Sequence, residues 1–210
     1  MILAIETSAE PASVALYKEG KIEQRTFPNK NQVNVPLADE LASLLREERQ
    51  ISEILVGVGP GSYSGARVAL ATAEAIALVY SARVIALPSL CGVAGDSVLL
   101  GDARRGAFFI NERPTGRVKR VGDSVTVYSQ DEFSNAVEQL GDTELITFEP
   151  VEKLPLPSEI QSRVVQVYST AEGLLTYWDG LDEAEKLSSL PPEVLYVRPP
   201  NITKAKNPFA

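Results

Sequence analysis

Short apolar runs separated by polar, turn-forming residues open the chain. Ile2 to Ile5 is apolar and rich in β-formers, Ser13 to Tyr17 alternates polar with apolar, and Ile22 to Phe27 follows the turn signal at residues 18–21 (KEGK). This predicts a meander of three strands whose first turn carries Glu6, Thr7, Ser8 and Glu10. From Pro36 to Glu48 the period changes. Leu37, Leu41, Leu44 and Leu45 fall at i, i+4, i+7 and i+8, one face of a helix with Pro36 near its start. Ile54 to Val58 reads as a strand, Gly59 to Gly65 as a glycine-rich loop, Ala66 to Tyr80 as a second helix and Val84 to Leu87 as a further strand closed by Pro88. Strands and helices alternating after a meander predict an α/β layer with mixed strand directions.

The second half repeats the opening in outline. Val98 to Ile110 reads as a strand, a tight turn at Asp102 to Gly106, and a returning strand; Val125 to Tyr128 extends it. Asp131 to Leu140 reads as a helix capped by Ser129 or Asp131, Leu145 to Phe148 and Val164 to Val167 as strands, and Thr170 to Trp178 as a helix. The tail from Pro191 is proline-rich, with one apolar piece from Val194 to Val197. A boundary near Leu90 to Asp96 divides the chain into an α/β lobe over 1–95 and a smaller one over 96–210. The only repeat this pattern admits is a diverged duplication of the strand–turn–strand openings.

Two loops are candidates for chemistry. In GPGSYSGAR (59–67) the glycines let the backbone approach a ligand, and the helix start offers unpaired N–H groups. Spacing excludes the familiar uses. A P-loop needs Gly-Lys-Ser/Thr, whereas Gly65 is followed by Ala66 and Arg67. A dinucleotide fingerprint needs G-x-G-x-x-G, and Gly59, Gly61 and Gly65 are spaced one residue too long. The plain alternative is a strand-to-helix turn built from glycine for tight packing. The earlier loop, with Glu6, Thr7 and Ser8, could hold a hydrated metal and phosphate oxygens; a hairpin with a capping hydroxyl explains it equally.

The helix after the glycine loop is apolar nearly all round, with only Arg67, Thr72 and Glu74 polar between Ala66 and Tyr80. Such a helix must be covered on every side. Ala66, Ala69, Ala73 and Ala77 form a small-residue stripe expected to face a partner, the alternative being a helix sandwiched between lobes.

Composition narrows the functional classes. The chain has 210 residues, a net charge of −8 and no histidine, which removes Ser-His-Asp, Cys-His and histidine-bearing metal chemistry. Its basic residues are scattered apart from Arg117, Lys119 and Arg120, so it is not expected to grip nucleic acid alone. Cys91 is the only cysteine, which fits a reducing cytoplasm. Five apolar residues before Glu6 are too few for a signal peptide, and Arg67 and Glu74 interrupt the longest apolar stretch, so no membrane association is expected.

ILAIETSAEPASVAL (2–16), GVGPGSYSGARVALATAEAIAL (57–78), DARRGAFF (102–109) and VLYVRPPN (194–201) together resemble the bacterial TsaB family, also called YeaZ. The resemblance implies the two-lobed architecture of actin-like ATPases and sugar kinases, ribonuclease H-like with mixed sheets and a reduced second lobe. It implies a role in forming threonylcarbamoyladenosine, at adenosine 37 of tRNAs that read codons beginning with A. In that family TsaB is the non-catalytic partner of its paralogue TsaD, the transferase; the ATPase TsaE joins them, and tRNA is met indirectly. TsaD-like proteins are longer and carry a histidine pair for a metal, which this sequence lacks. Many family members carry a histidine where this chain reads NQVNVP (31–36).

By this resemblance the interface to TsaD, or to a second copy in its absence, is formed by Leu37, Leu41, Leu44, Leu45, Ala69, Ala73, Ile76 and Ala77, with Arg67 at its edge. No cofactor or metal is required, and ATP or ADP is expected only at the partner interface. Glu6, Thr7, Ser8, Gly59, Gly61, Ser62 and Gly65 are then vestigial nucleotide loops. The competing expectation is a weak nucleotide-binding hydrolase that uses those same loops.

Overall fold

In the computed structural model, which describes residues 1–29, 34–48, 50–112, 125–187 and 192–198, the strands expected from alternation assemble into two sheets of five. The basic group Arg117, Lys119 and Arg120 lies outside the described residues.

The first sheet holds β1 (Ile2–Glu6), β2 (Ala12–Lys18), β3 (Lys21–Phe27), β4 (Glu53–Gly57) and β5 (Arg83–Leu87), in the order β3-β2-β1-β4-β5. β1, β2 and β3 are antiparallel neighbours; β4 and β5 run parallel to β1. Lys18 pairs with Lys21 across a two-residue loop, Glu19-Gly20, in which both residues have positive φ (52° and 78°). That is the geometry a tight hairpin with right-twisted strands needs.

The second sheet holds β6 (Ser97–Arg104), β7 (Ala107–Asn111), β8 (Val125–Ser129), β9 (Glu144–Thr147) and β10 (Val164–Gln166), in the order β10-β9-β6-β7-β8. Read from β8, the order is the first sheet again: three antiparallel strands, then two parallel ones. The duplication legible only in outline is therefore a duplication of topology. Its hairpin turns the same way, with Arg105 and Gly106 at φ 58° and 68° between the paired residues Arg104 and Ala107.

Alternation along the central strands sends side chains to two different layers. Leu3, Ile5, Val14, Leu16, Ile54 and Val56 point to one face of the first sheet and pack under α1 (Asn34–Leu44) and α2 (Tyr63–Tyr80). Ala4, Ala15, Leu55 and Ile85 point to the other face. α3 (Gln130–Glu138) and α4 (Ser158–Gln161) belong to the second lobe, where Phe133, Val137 and Ile160 cover one face of its sheet. Ser129 caps α3, and Glu132 reaches back to its backbone and hydroxyl. These hydrogen bonds from Ser129 hold the Glu132 carboxyl below its ordinary pKa.

One element departs from the expected division at residue 95. α5 (Ala171–Asp179) was expected to stay with the second lobe, yet its Leu174, Leu175 and Trp178 lie against Ala4, Leu55 and Ile85. Ala171 N donates to Ser13 Oγ at 2.8 Å, and Trp178 Nε1 donates to Glu53 Oε2 at 3.0 Å. The first sheet has two apolar faces, and the helices that precede residue 95 cover only one. The other face is closed by chain returning from the second lobe, followed by the short α6 (Glu183–Leu187). The start of α5 also comes close to the turn after β5, since a Cβ on Gly173 would lie 2.0 Å from Gly92 O.

Because Leu174 is fully buried on the first sheet, Leu174→Ala should cost about 2–5 kcal/mol in urea unfolding. Hydrogen exchange should quicken in β1 and β4. Loss of protection confined to the second sheet would contradict this placement of α5.

Candidate functional site

β1 ends at Glu6 beside the end of β4, and the first turn and the glycine loop leave the sheet together. Glu6 has no exposed surface. Gly57 makes the space for it, since a Cβ there would lie 2.0 Å from Glu6 Oε2. Oε1 accepts from Ser8 N at 2.7 Å and from Ser8 Oγ at 2.6 Å, and Oε2 accepts from Ser169 Oγ at 2.8 Å. Ser8 Oγ also lies 2.7 Å from Ser89 Oγ in a hydroxyl–hydroxyl hydrogen bond, and Ser89 Oγ accepts from Gly59 N at 3.0 Å. A carboxyl group withdrawn from water is tolerated only with such partners.

The rest of the loop pair closes by backbone contact. Ser62 N donates to Ser8 O at 2.7 Å, and Thr7 Oγ1 donates to Gly65 O at 2.7 Å. Ser62 Oγ caps α2 by accepting from Gly65 N at 3.2 Å. A Cβ on Gly61 would meet Ser8 O at 2.4 Å, and one on Gly65 would meet Thr7 O at 1.9 Å. Asn29 Nδ2 donates to Thr7 O and to Ala9 O, tying the end of β3 to the same turn.

The two loops read from the sequence as separate phosphate-binding candidates are thus one packed unit. Thr7 and Ser8, expected to donate to phosphate oxygens, are buried and bonded to protein groups, and Glu6 is held away from any metal-accessible surface. This corrects the metal–phosphate expectation for Glu6, Thr7 and Ser8. Gly57, Gly61 and Gly65 serve close packing. Ser89, Ser169 and Asn29 were missed because each contributes through one side chain from a distant segment. The only local hint was Thr170, which caps α5 immediately after Ser169.

Beside this unit the lobes enclose a cleft of about 1560 Å3. Ser8, Glu10 and the turn Gly59–Ser64 line it from the first lobe, and Asp102–Arg105, Phe148 and Lys153 from the second. Its charges are largely internal pairs. Arg104 lies 3.0 Å from Asp102 and 3.8 Å from Glu149, which is itself 3.8 Å from Lys153. Among the described residues no group of three His, Cys, Asp or Glu side chains could hold a metal ion, and no helix is long and apolar enough to cross a membrane.

The residues expected to face a partner are placed differently from that expectation. Leu37, Leu41, Leu44, Ala69 and Ala73 are buried in the first lobe's core. Leu45, Ile76 and Ala77 are half-buried and pack against it. The alanine stripe lets α2 lie close on β4 and β1, so it faces inward. The opposite face carries Arg67, Ala71, Glu74, Ala75, Leu78 and Val79, all exposed, with Leu78 at 87% and Val79 at 79%. Arg67 is thus the one expected interface residue that lies on the open side, with its guanidinium over the Tyr63 ring.

Gly65→Ala should destabilise the protein by about 3 kcal/mol or more, because the added methyl meets a backbone carbonyl that cannot move aside. Gly20→Ala, where nothing lies within 4 Å of the built Cβ, should cost only about 1 kcal/mol for the left-handed backbone. Equal melting shifts for the two variants would disprove the packed-loop account.

Comparison with known proteins agrees with this architecture. Residues 31–163, more than half of the chain, match the family model described as TsaD, tRNA N6-adenosine threonylcarbamoyltransferase. The chain is 32% identical over 121 residues to the tRNA threonylcarbamoyladenosine biosynthesis protein TsaB of Bacillus subtilis, covering 51% of this chain and 52% of that protein. To the protein of the same name from Haemophilus influenzae it is 31% identical over 119 residues, covering 53% and 49%. It therefore spans about half the length of the curated relatives it matches. Among solved structures, YeaZ from Pseudomonas aeruginosa superposes with a TM-score of 0.64 at 22% identity, covering 92% of this chain and 99% of that one. A protein described as similar to the peptidase YeaZ, also from Pseudomonas aeruginosa, gives 0.65 at 21%, covering 92% and 98%. These neighbours share the chain's α/β fold. With that family model matched over more than half of the chain, the chain belongs to the TsaD family, and the curated relatives it resembles are named TsaB.

Proposed function

We propose that this chain is a non-catalytic subunit in tRNA threonylcarbamoyladenosine biosynthesis, docking on a TsaD-type transferase through the outer face of α2. In this reading TsaE joins the pair, the product is threonylcarbamoylated adenosine 37 of tRNAs reading codons that begin with A, and tRNA is met through the partner. A second copy of the chain takes the same face when TsaD is absent. The setting is the cytoplasm, and any ATP or ADP sits at the partner interface.

One observation carries the proposal. Ala71, Ala75, Leu78 and Val79 form an exposed apolar strip along α2, on the side turned away from its own sheet. Val35 on the neighbouring α1 is 60% exposed and adds to the apolar surface of this helical layer. Exposed apolar surface of this kind on a water-facing helix marks a docking face. Pathway membership is drawn from the curated relatives' names. The arrangement around Glu6 favours the subunit reading over the hydrolase one, since Glu6, Thr7 and Ser8 are all bonded within the protein.

Leu78→Arg should leave circular dichroism unchanged and lower affinity for the TsaD of the same organism at least tenfold, read by light scattering after size exclusion. Ala73→Arg should instead fail to fold, because Ala73 has no exposed surface. A folded Leu78→Arg protein that binds TsaD as the parent does would refute the proposed face. A parent chain that stays monomeric and ignores TsaD would refute the subunit role.

A further inference from the structure

The inter-lobe cleft is crossed by a short piece of the chain's own tail. Leu195 N donates to Val58 O at 2.9 Å, continuing from the end of β4, and the Leu195 side chain is buried in the first lobe's core. The Tyr196 ring lies 5.0 Å from that of Tyr63, at the start of α2. Val197 packs against both the first-lobe core and the cluster of Leu99, Ala103 and Phe109 on the second sheet. Arg198 Nη1 then donates to Arg104 O, at 2.9 Å, on the second lobe's hairpin. Successive residues thus anchor to one lobe, to both, and to the other.

We propose that Leu195–Arg198 form a built-in clamp that holds the two lobes together across the mouth of the cleft. In two-lobed proteins a bound ligand commonly closes such a cleft by touching both walls. Here a tail segment makes those contacts itself. Away from the cleft, the chain returning from the second lobe is tied separately, by Ser169 Oγ on Glu6 and by Thr170 N donating to Gly92 O at 3.2 Å. With that return tied and the tail clamped, the mutual position of the lobes does not depend on a ligand.

The contacts also say how the clamp divides its work. Leu195 is the anchor, since it combines a buried apolar side chain with a backbone hydrogen bond. Arg198 is the latch, because its hydrogen bond to Arg104 O reaches the hairpin of the second lobe. Removing the latch frees one wall, and removing the anchor frees both. The inference does not rest on the proposed partner, whose docking face lies on the outer side of α2.

Native-state hydrogen exchange on the full chain tests this. Leu195→Ser should lower protection at least about tenfold at Val58–Ser62 and also at Ala103–Ala107, with far-ultraviolet circular dichroism unchanged. Arg198→Ala should lower it at Ala103–Ala107 while leaving Val58–Ser62 as in the parent. If Leu195→Ser changes only the first-lobe wall, or neither wall, Leu195 is core filling and the clamp is overturned. Should Leu195→Ser fail to fold, Arg198→Ala decides: parent-like exchange at Ala103–Ala107 overturns the clamp. Leu78→Arg in the same experiment should leave both walls unchanged, so failure of the docking face and failure of the clamp are separately visible.

Discussion

A carboxyl group with no access to water needs its hydrogen bonds supplied by the fold, and Glu6 draws them from two residues. Ser8 is its near neighbour, Ser169 arrives from beyond the second lobe, and Ser89 joins through Ser8. Those contacts form only if the glycine loop lies against the first turn and the chain returns from the second lobe at the right height. Gly57, Gly61 and Gly65 are required by the same geometry, because side chains there would collide with Glu6, Ser8 and Thr7. The end of β1 is therefore where both lobes and both loops are brought into register.

The duplicated sheets follow from that junction. Each lobe is a three-strand meander with two parallel strands beside it. In the first lobe both sheet faces are apolar, and α1 with α2 covers one while α5 covers the other. The crossing made by α5 carries Ser169 to Glu6 and Trp178 to Glu53. It makes the first lobe depend on chain that follows the second lobe in sequence, so the lobes are not independent in sequence although their sheets are.

What remains exposed defines what the protein can do. The inner side of α2 is committed to the sheet by small residues, which leaves Leu78 and Val79 facing outward on a helix too apolar for water alone. The cleft, by contrast, is walled by groups already paired with one another and crossed by Leu195–Arg198. The proposed docking role rests on that exposed face of α2.

The amino-acid sequence alone determined the order and kind of elements, because apolar periodicity and turn residues are local signals. The hairpin at Glu19-Gly20, the helix over Leu37 to Leu44 and the strand–loop–helix at Gly59 to Gly65 were all legible in it. That α2 is apolar nearly all round was legible too; which face met the sheet was not, since a helix apolar on every side carries no phase. Alanines fit a close sheet contact as well as a partner helix, and only the packing against β4 chose between them. Nor could periodicity show that Thr7 and Ser8 bond to the protein instead of a ligand. Their partners, Gly65, Glu6 and Ser89, include residues dozens of positions away, and such contacts exist only once the sheet has brought the strand ends together.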